Sequence, residues 1–132
     1  MDLMPIPQET KAALDERVYV HLATVNPDGS PQVSVVWITR RDDTVLFSTA
    51  AGRVKPRNLA QDPRVALSFT PPDEPYKNIT LTGRVTKTAQ DGTWLIDELA
   101  NKYLDHESYQ FARQGEVRVN YEIEIDSVAN WG

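Results

Sequence analysis

The segment from Glu116 to Asp126 alternates without a break. Val117, Val119, Tyr121, Ile123 and Ile125 are apolar, and Arg118, Asn120, Glu122, Glu124 and Asp126 between them are polar. A period of two puts the two sets on opposite faces of an extended chain, so the segment predicts a strand that covers a core with one face. Five more runs read as strands: Arg17–Val25, Gln32–Thr39, Thr44–Thr49, Arg64–Thr70 and Tyr76–Thr88. Turn chemistry separates them. Asn26-Pro27-Asp28-Gly29-Ser30 makes 17–39 a hairpin, Arg40–Asp43 is a charged turn, and Pro71-Pro72-Asp73-Glu74-Pro75 is a loop. Gly83 marks a bulge or bend inside the long fifth strand. Val35-Val36-Trp37-Ile38 is apolar on both faces, which predicts burial on both sides. Six strands in 132 residues favour a mainly β chain, an antiparallel barrel with flanking helices, because closure removes exposed sheet edges.

Three helices connect the strands. Pro7–Glu16 opens the chain. A second helix begins near Pro56 and runs to about Gln61, before Asp62-Pro63. Asp91–Leu104 is the main helix, with Leu95, Leu99 and Tyr103 at four-residue spacing. The length suits a single domain over residues 1–132.

Composition narrows the chemistry. The chain has no cysteine, which excludes disulfides, thiolate metal sites and a cysteine nucleophile. Its two histidines, His21 and His106, lack ligand spacing, so no metal site is expected. Nineteen acidic residues against fourteen basic give a net charge of −5, which argues against nucleic acid. No apolar run is long enough for a membrane span, and the N-terminus lacks signal-peptide character. A soluble cytoplasmic protein acting on a small molecule is the expectation.

One region departs from that charge balance. Thr44–Gln61 contains Arg53, Lys55 and Arg57 and no acid, so it carries +3 against −8 elsewhere. These residues follow a strand and open a helix. A helix N-terminus presents unpaired N–H groups and a partial positive charge, which suits an anion. Gly52 allows close backbone approach, and Ser48 and Thr49 can add hydroxyl donors. A solvated helix start paired with surface acids is the simpler alternative. Cations at that end oppose the helix dipole, however, and this favours an anion site.

The stretch from Leu46 to Leu67, LFSTAAGRVKPRNLAQDPRVAL, resembles the phosphate-binding core of the pyridoxamine-phosphate-oxidase-like flavin proteins. The resemblance extends to the ATVNPDGSPQVSVVW hairpin, the KNITLTGRV strand and the closing SVANW. It implies a six-stranded antiparallel split β-barrel and a homodimer with a flavin or deazaflavin at the subunit interface. The GRVKPRNL form is most similar to the branch that uses the deazaflavin coenzyme F420. By this resemblance Lys55 matches the phosphate-binding lysine, with Arg53, Arg57 and Asn58 around it. Ser48 and Thr49 match a strand-end pair touching the cofactor. Gln32, Ser34, Val36 and Trp37 match the strand running along its ring system. Asn78 matches a polar position reaching across from the partner subunit, and Trp131 a late aromatic near the cofactor.

Gln32 and Trp37 stand where the oxidases proper carry an arginine and a lysine for FMN, and no arginine follows Trp131. This argues against vitamin B6 oxidation and favours a coenzyme with a long anionic tail. The implied activity is hydride transfer from reduced F420 to an electron-poor acceptor such as an enone, quinone or tetrapyrrole. An FMN- or haem-binding protein without that chemistry is the alternative, and a cofactor-free dimer a third. No side chain is assigned as catalytic. His21, His106, Tyr76, Lys77 and Tyr109 are proton-donor candidates by type alone.

Overall fold

A computed structural model describes residues 5–131. Its elements are α1 (Gln8–Leu14), β1 (Val20–Val25), β2 (Pro31–Val36), β3 (Thr39–Arg41), β4 (Thr44–Ala50), α2 (Val54–Gln61), β5 (Arg64–Phe69), β6 (Asn78–Ala89), α3 (Trp94–Leu104) and β7 (Arg118–Trp131). The seven strands form one antiparallel sheet in the order β2-β1-β5-β6-β7-β4-β3. The fold is the mainly β split barrel that the sequence predicts.

The two edge strands, β2 and β3, are neighbours in the chain, joined by Trp37 and Ile38 alone. Such a link spans at most about 11 Å. The sheet must therefore curl until its edges meet, and Trp37-Ile38 is the seam. This revises the expected single strand over Gln32–Thr39. It breaks at Trp37, and a short seventh strand takes up part of the predicted charged turn. The curled sheet encloses the larger core, which includes Leu22, Phe47, Leu67, Leu81, Ile123 and Ile125 with Leu14 and Leu59 from α1 and α2.

A second, smaller core lies outside the sheet, where Leu95, Ile96, Leu99 and Tyr103 of α3 pack on Leu46 of β4, with Trp37 and Tyr109 against them. This helix pins the seam. Tyr103 Oη accepts from Ile38 N–H at 3.1 Å and donates to Val18 O at 2.7 Å. Lys102 Nζ donates to Leu14 O at 2.8 Å and Ile38 O at 2.7 Å.

Several element boundaries differ from the sequence expectation, and three of them have a clear local reason. Pro56 is the third residue of α2 rather than its first; the opening N–H groups of a helix have no intrahelical partner, so proline costs nothing there either. Asp91 and Gly92 precede α3, because Asp91 accepts the Asn120 amide at 2.6 Å and Gly92 has φ of 98°. β7 continues past Asp126 to Trp131, paired with β6 down to Asn78.

The expected irregularity at Gly83 is present as a register shift between Thr82 and Gly83. A Cβ at Gly83 would lie 2.2 Å from Glu124 O. Backbone atoms of a central strand pair have no room to retreat. Gly83→Ala is therefore expected to cost at least about 2 kcal/mol, read as a lower midpoint in urea unfolding.

Val35 does not fulfil the expected burial on both faces, being 52% exposed, and Val33 is 61% exposed. The face they share continues through His21 and Ala23 of β1, Ala66 and Ser68 of β5, and Thr80 and Thr82 of β6 by register. It carries no acidic or lysine side chain along those positions, although a quarter of the chain is charged.

Candidate cofactor cleft at the barrel seam

α2 begins where β4 ends. Gly52 between them adopts φ of 88°, a conformation that glycine tolerates and side-chain-bearing residues resist, with open space around its Cα. Arg53 caps the helix with extended backbone and no side-chain cap, and no acid occupies the first turn. The first N–H groups of α2 therefore lack the usual carboxylate or hydroxyl partner.

A cleft of about 230 Å³ opens beside this helix end. Val35, Val36 and Trp37 come from the seam, Ser48 and Thr49 from the end of β4, and Arg53 and Lys55 from α2. Six of the twelve candidate residues thus meet in one place: Val36, Trp37, Ser48, Thr49, Arg53 and Lys55. Neither Arg53 nor Lys55 forms an ion pair among the described residues. Burial, and the Arg53 charge beside it, hold the Lys55 ammonium below the usual lysine range. An anion in the cleft would relieve both penalties.

Two aromatic rings, Trp37 and Tyr109, also line the cleft. Trp37 stacks on Tyr103 with centroids 5.2 Å apart, and the Tyr109 ring meets Trp37 edge-on at 6.4 Å. The arrangement is a flat apolar wall next to a cationic rim. It suits an elongated ligand with a planar body and an anionic end.

The other six candidates lie elsewhere. Arg57 lines a neighbouring depression with Gly52, Arg53 and Val54, and also donates to Asn26 and Asn58. Asn58 is fully buried, and its amide donates to Thr24 Oγ1 and Asn26 Oδ1, both at 3.0 Å. Its side chain is thus committed to the β1–β2 turn, and it acts by fixing the pose of α2. Gln32 joins the same network by accepting from Thr24 at 3.0 Å. Asn58→Ala would remove the bonds to buried Thr24 and half-buried Asn26 and leave a gap under α2; it should cost about 2 kcal/mol, seen as a drop in thermal midpoint. Ser34 has a buried hydroxyl without a partner among the described residues and does not line the cleft. Asn78 bonds Ser68 and Thr80 on the outer sheet face. Trp131 pairs with Asn78 in backbone register, and its side chain lies outside the described residues.

Of the proton-donor candidates, only Tyr109 lines the cleft. Tyr76 is 93% exposed and Lys77 pairs with Glu9. Val35 belongs to the Gln32–Trp37 strand that, by the resemblance, runs along the ring system; three further lining residues were not read as cleft residues from sequence: Ile96, Leu99 and Arg118. Leu99 was legible as the apolar stripe of the main helix, and Arg118 only as the polar half of an alternation. Among the described residues no cluster of His, Asp and Glu side chains could hold a metal ion, and no helix is long and apolar enough to cross a membrane.

The family model for pyridoxamine 5'-phosphate oxidase matches residues 6–132. The chain belongs to the pyridoxamine 5'-phosphate oxidase-like split-barrel family. Among solved structures of this fold it is similar to an F420 reductase, at 30% identity, with 94% of this chain and 98% of that chain covered and a TM-score of 0.83. A conserved hypothetical protein from Mycobacterium tuberculosis follows at 19% identity, 98% and 86% coverage and TM-score 0.76. The haem storage protein HutZ from Vibrio cholerae shares the fold at 19% identity, 96% and 94% coverage and TM-score 0.64. No curated protein matches the sequence.

Proposed function

We propose that the chain is an F420-dependent reductase that passes a hydride to an electron-poor small molecule, and that it works as a homodimer. The observation that carries this reading is the pair of unpartnered cations, Arg53 and Lys55, beside the aromatic wall of one cleft in an otherwise acidic chain. The 30%-identical F420 reductase supports it.

In this reading Lys55, Arg53 and the first turn of α2 hold the coenzyme's phosphate. Charge-assisted bonds to phosphate are strong, and the α2 dipole adds to them. Trp37 and Tyr109 flank the planar ring and shield it from water. Ser48 and Thr49 offer hydroxyls along its edge. The bound coenzyme supplies the hydride chemistry; the chain's residues bind, orient and exclude solvent. The FMN alternative places its phosphate on the same cations. Haem binding has less support, since neither His21 nor His106 lines the cleft.

Fluorescence titration with F420 and with FMN tests the assignment. Tighter binding of F420, and oxidation of reduced F420 by enones or quinones in the protein's presence, are the expected results. Tight FMN binding with none of F420 would overturn it.

A further inference from the structure

We propose that Arg118 reads the carbonyl-bearing edge of the coenzyme ring, as a second recognition point in the cleft, beside Ser48. This rests on the coenzyme reading of the cleft, and it holds for a deazaflavin or a flavin, since both carry a pyrimidinedione edge.

The guanidinium of Arg118 is held in a defined plane. Its side chain is 7% exposed. Nε donates to Ser48 Oγ at 3.2 Å, Nη1 donates to Glu116 Oε2 at 3.1 Å, and the Tyr109 ring lies 5.4 Å from the guanidinium carbon. Glu116 is itself 8% exposed, so this is a buried ion pair. Nη2 has no partner among the described residues, and Arg118 lines the cleft. Arg118 also lines a side cavity of about 280 Å³, where it meets Thr93, Asp97, Ser108 and Tyr109. It therefore forms part of the partition between the two spaces.

The charge arithmetic assigns its partner. Burying an ion pair costs desolvation that hydrophobic packing would avoid, so its retention calls for a use. Glu116 already balances the charge of Arg118, whereas Arg53 and Lys55 are uncompensated. A full anion is attracted to the uncompensated pair. A neutralised arginine still offers directed N–H donors, and those match a carbonyl oxygen of a neutral or partly charged ring. The cleft thus offers one ligand two kinds of recognition: uncompensated cations for its phosphate, and the directed N–H donors of Arg118 for a ring carbonyl.

The test uses F420 and its phosphate-free deazariboflavin core as probes, titrated against wild type, Arg118→Met, Arg118→Lys and Lys55→Met. Arg118→Met is expected to weaken both probes by a similar factor, about tenfold. Lys55→Met should weaken F420 alone. Because a general loosening of the cleft would also weaken both probes, the absorption maximum of the bound chromophore is the deciding readout. It should move toward its free-solution position in Arg118→Met, return in part in Arg118→Lys, and stay fixed in Lys55→Met. An unchanged bound spectrum in Arg118→Met, or an effect confined to the phosphate-bearing probe, would overturn the assignment. Failure of wild type to bind either probe would instead overturn the coenzyme reading of the cleft.

Discussion

Lys55→Met should weaken F420 binding about 10- to 100-fold with no loss of thermal stability. The magnitude follows from removing one charge-assisted phosphate contact, worth about 1.5–3 kcal/mol. The neutral stability follows from what Lys55 does in the unliganded chain. It forms no ion pair among the described residues, and burial already disfavours its charge. Deleting the ammonium therefore removes a cost from the folded state rather than a contact.

The same environment sets a pH dependence. A lysine whose folded value lies below its unfolded value binds fewer protons when folded in the window between the two. Its unfavourable contribution is present in full at neutral pH and fades as pH rises through the depressed value. Binding of a phosphate runs the other way, because it needs the proton. F420 affinity should hold through neutral pH and then fall on the alkaline side, earlier than an ordinary lysine would dictate. Lys55→Arg should stay charged and move that fall to higher pH. Titrations of coenzyme fluorescence across pH, for wild type and Lys55→Arg, check both statements. Coincident profiles would remove Lys55 from the phosphate site.

Much of this arrangement was legible in the residues, and the exceptions share one cause. The alternation identified a core face from Val119 to Ile125 because periodicity is a local property of the chain; Val117, expected on that face, precedes β7 and is 48% exposed, because the strand that would bury it starts one residue later. The basic cluster was visible because it breaks an acidic background, again within twenty residues. The seam was not. Val35 to Ile38 is continuously apolar, and nothing local says that the strand ends at Trp37 because two sheet edges must meet there. The family resemblance puts Asn58 in the anion site. Its burial depends on a turn some thirty residues earlier, whose Asn26 and Thr24 take up its amide. Arg118 is the sharpest case. Farther along the same polar set, Glu122 and Glu124 remain partly exposed, while Arg118 and Asn120 are covered. The difference comes from α3 and the chain that follows it, which roof one end of β7 and leave the other open. Sequence patterns report which face a residue is on. They do not report what other element arrives to cover it.

Val35→Glu should convert the proposed homodimer to a monomer and weaken F420 binding by more than about tenfold, while the fold survives. Three observations lead there. Val33 and Val35 are more than half exposed on an edge strand, an arrangement that isolated chains usually blunt with charge. The face they belong to runs over β1, β5 and β6 through small and uncharged side chains, which is the character of the interior of an interface rather than of its rim. Asn78, matched by the family resemblance to a position reaching into the neighbouring subunit's site, lies on this same face and not in its own chain's cleft. A carboxylate at Val35 would be desolvated without a partner on association, so it opposes the dimer strongly. In the single chain it would remain in water, so the change in monomer stability should be within about 0.5 kcal/mol. Sedimentation velocity would report the mass, and urea unfolding the integrity of the barrel. If the variant sediments as a dimer, the outer face is not the interface. If a folded monomer binds F420 as tightly as wild type, each cleft is complete within one chain, and Asn78 plays no part in it.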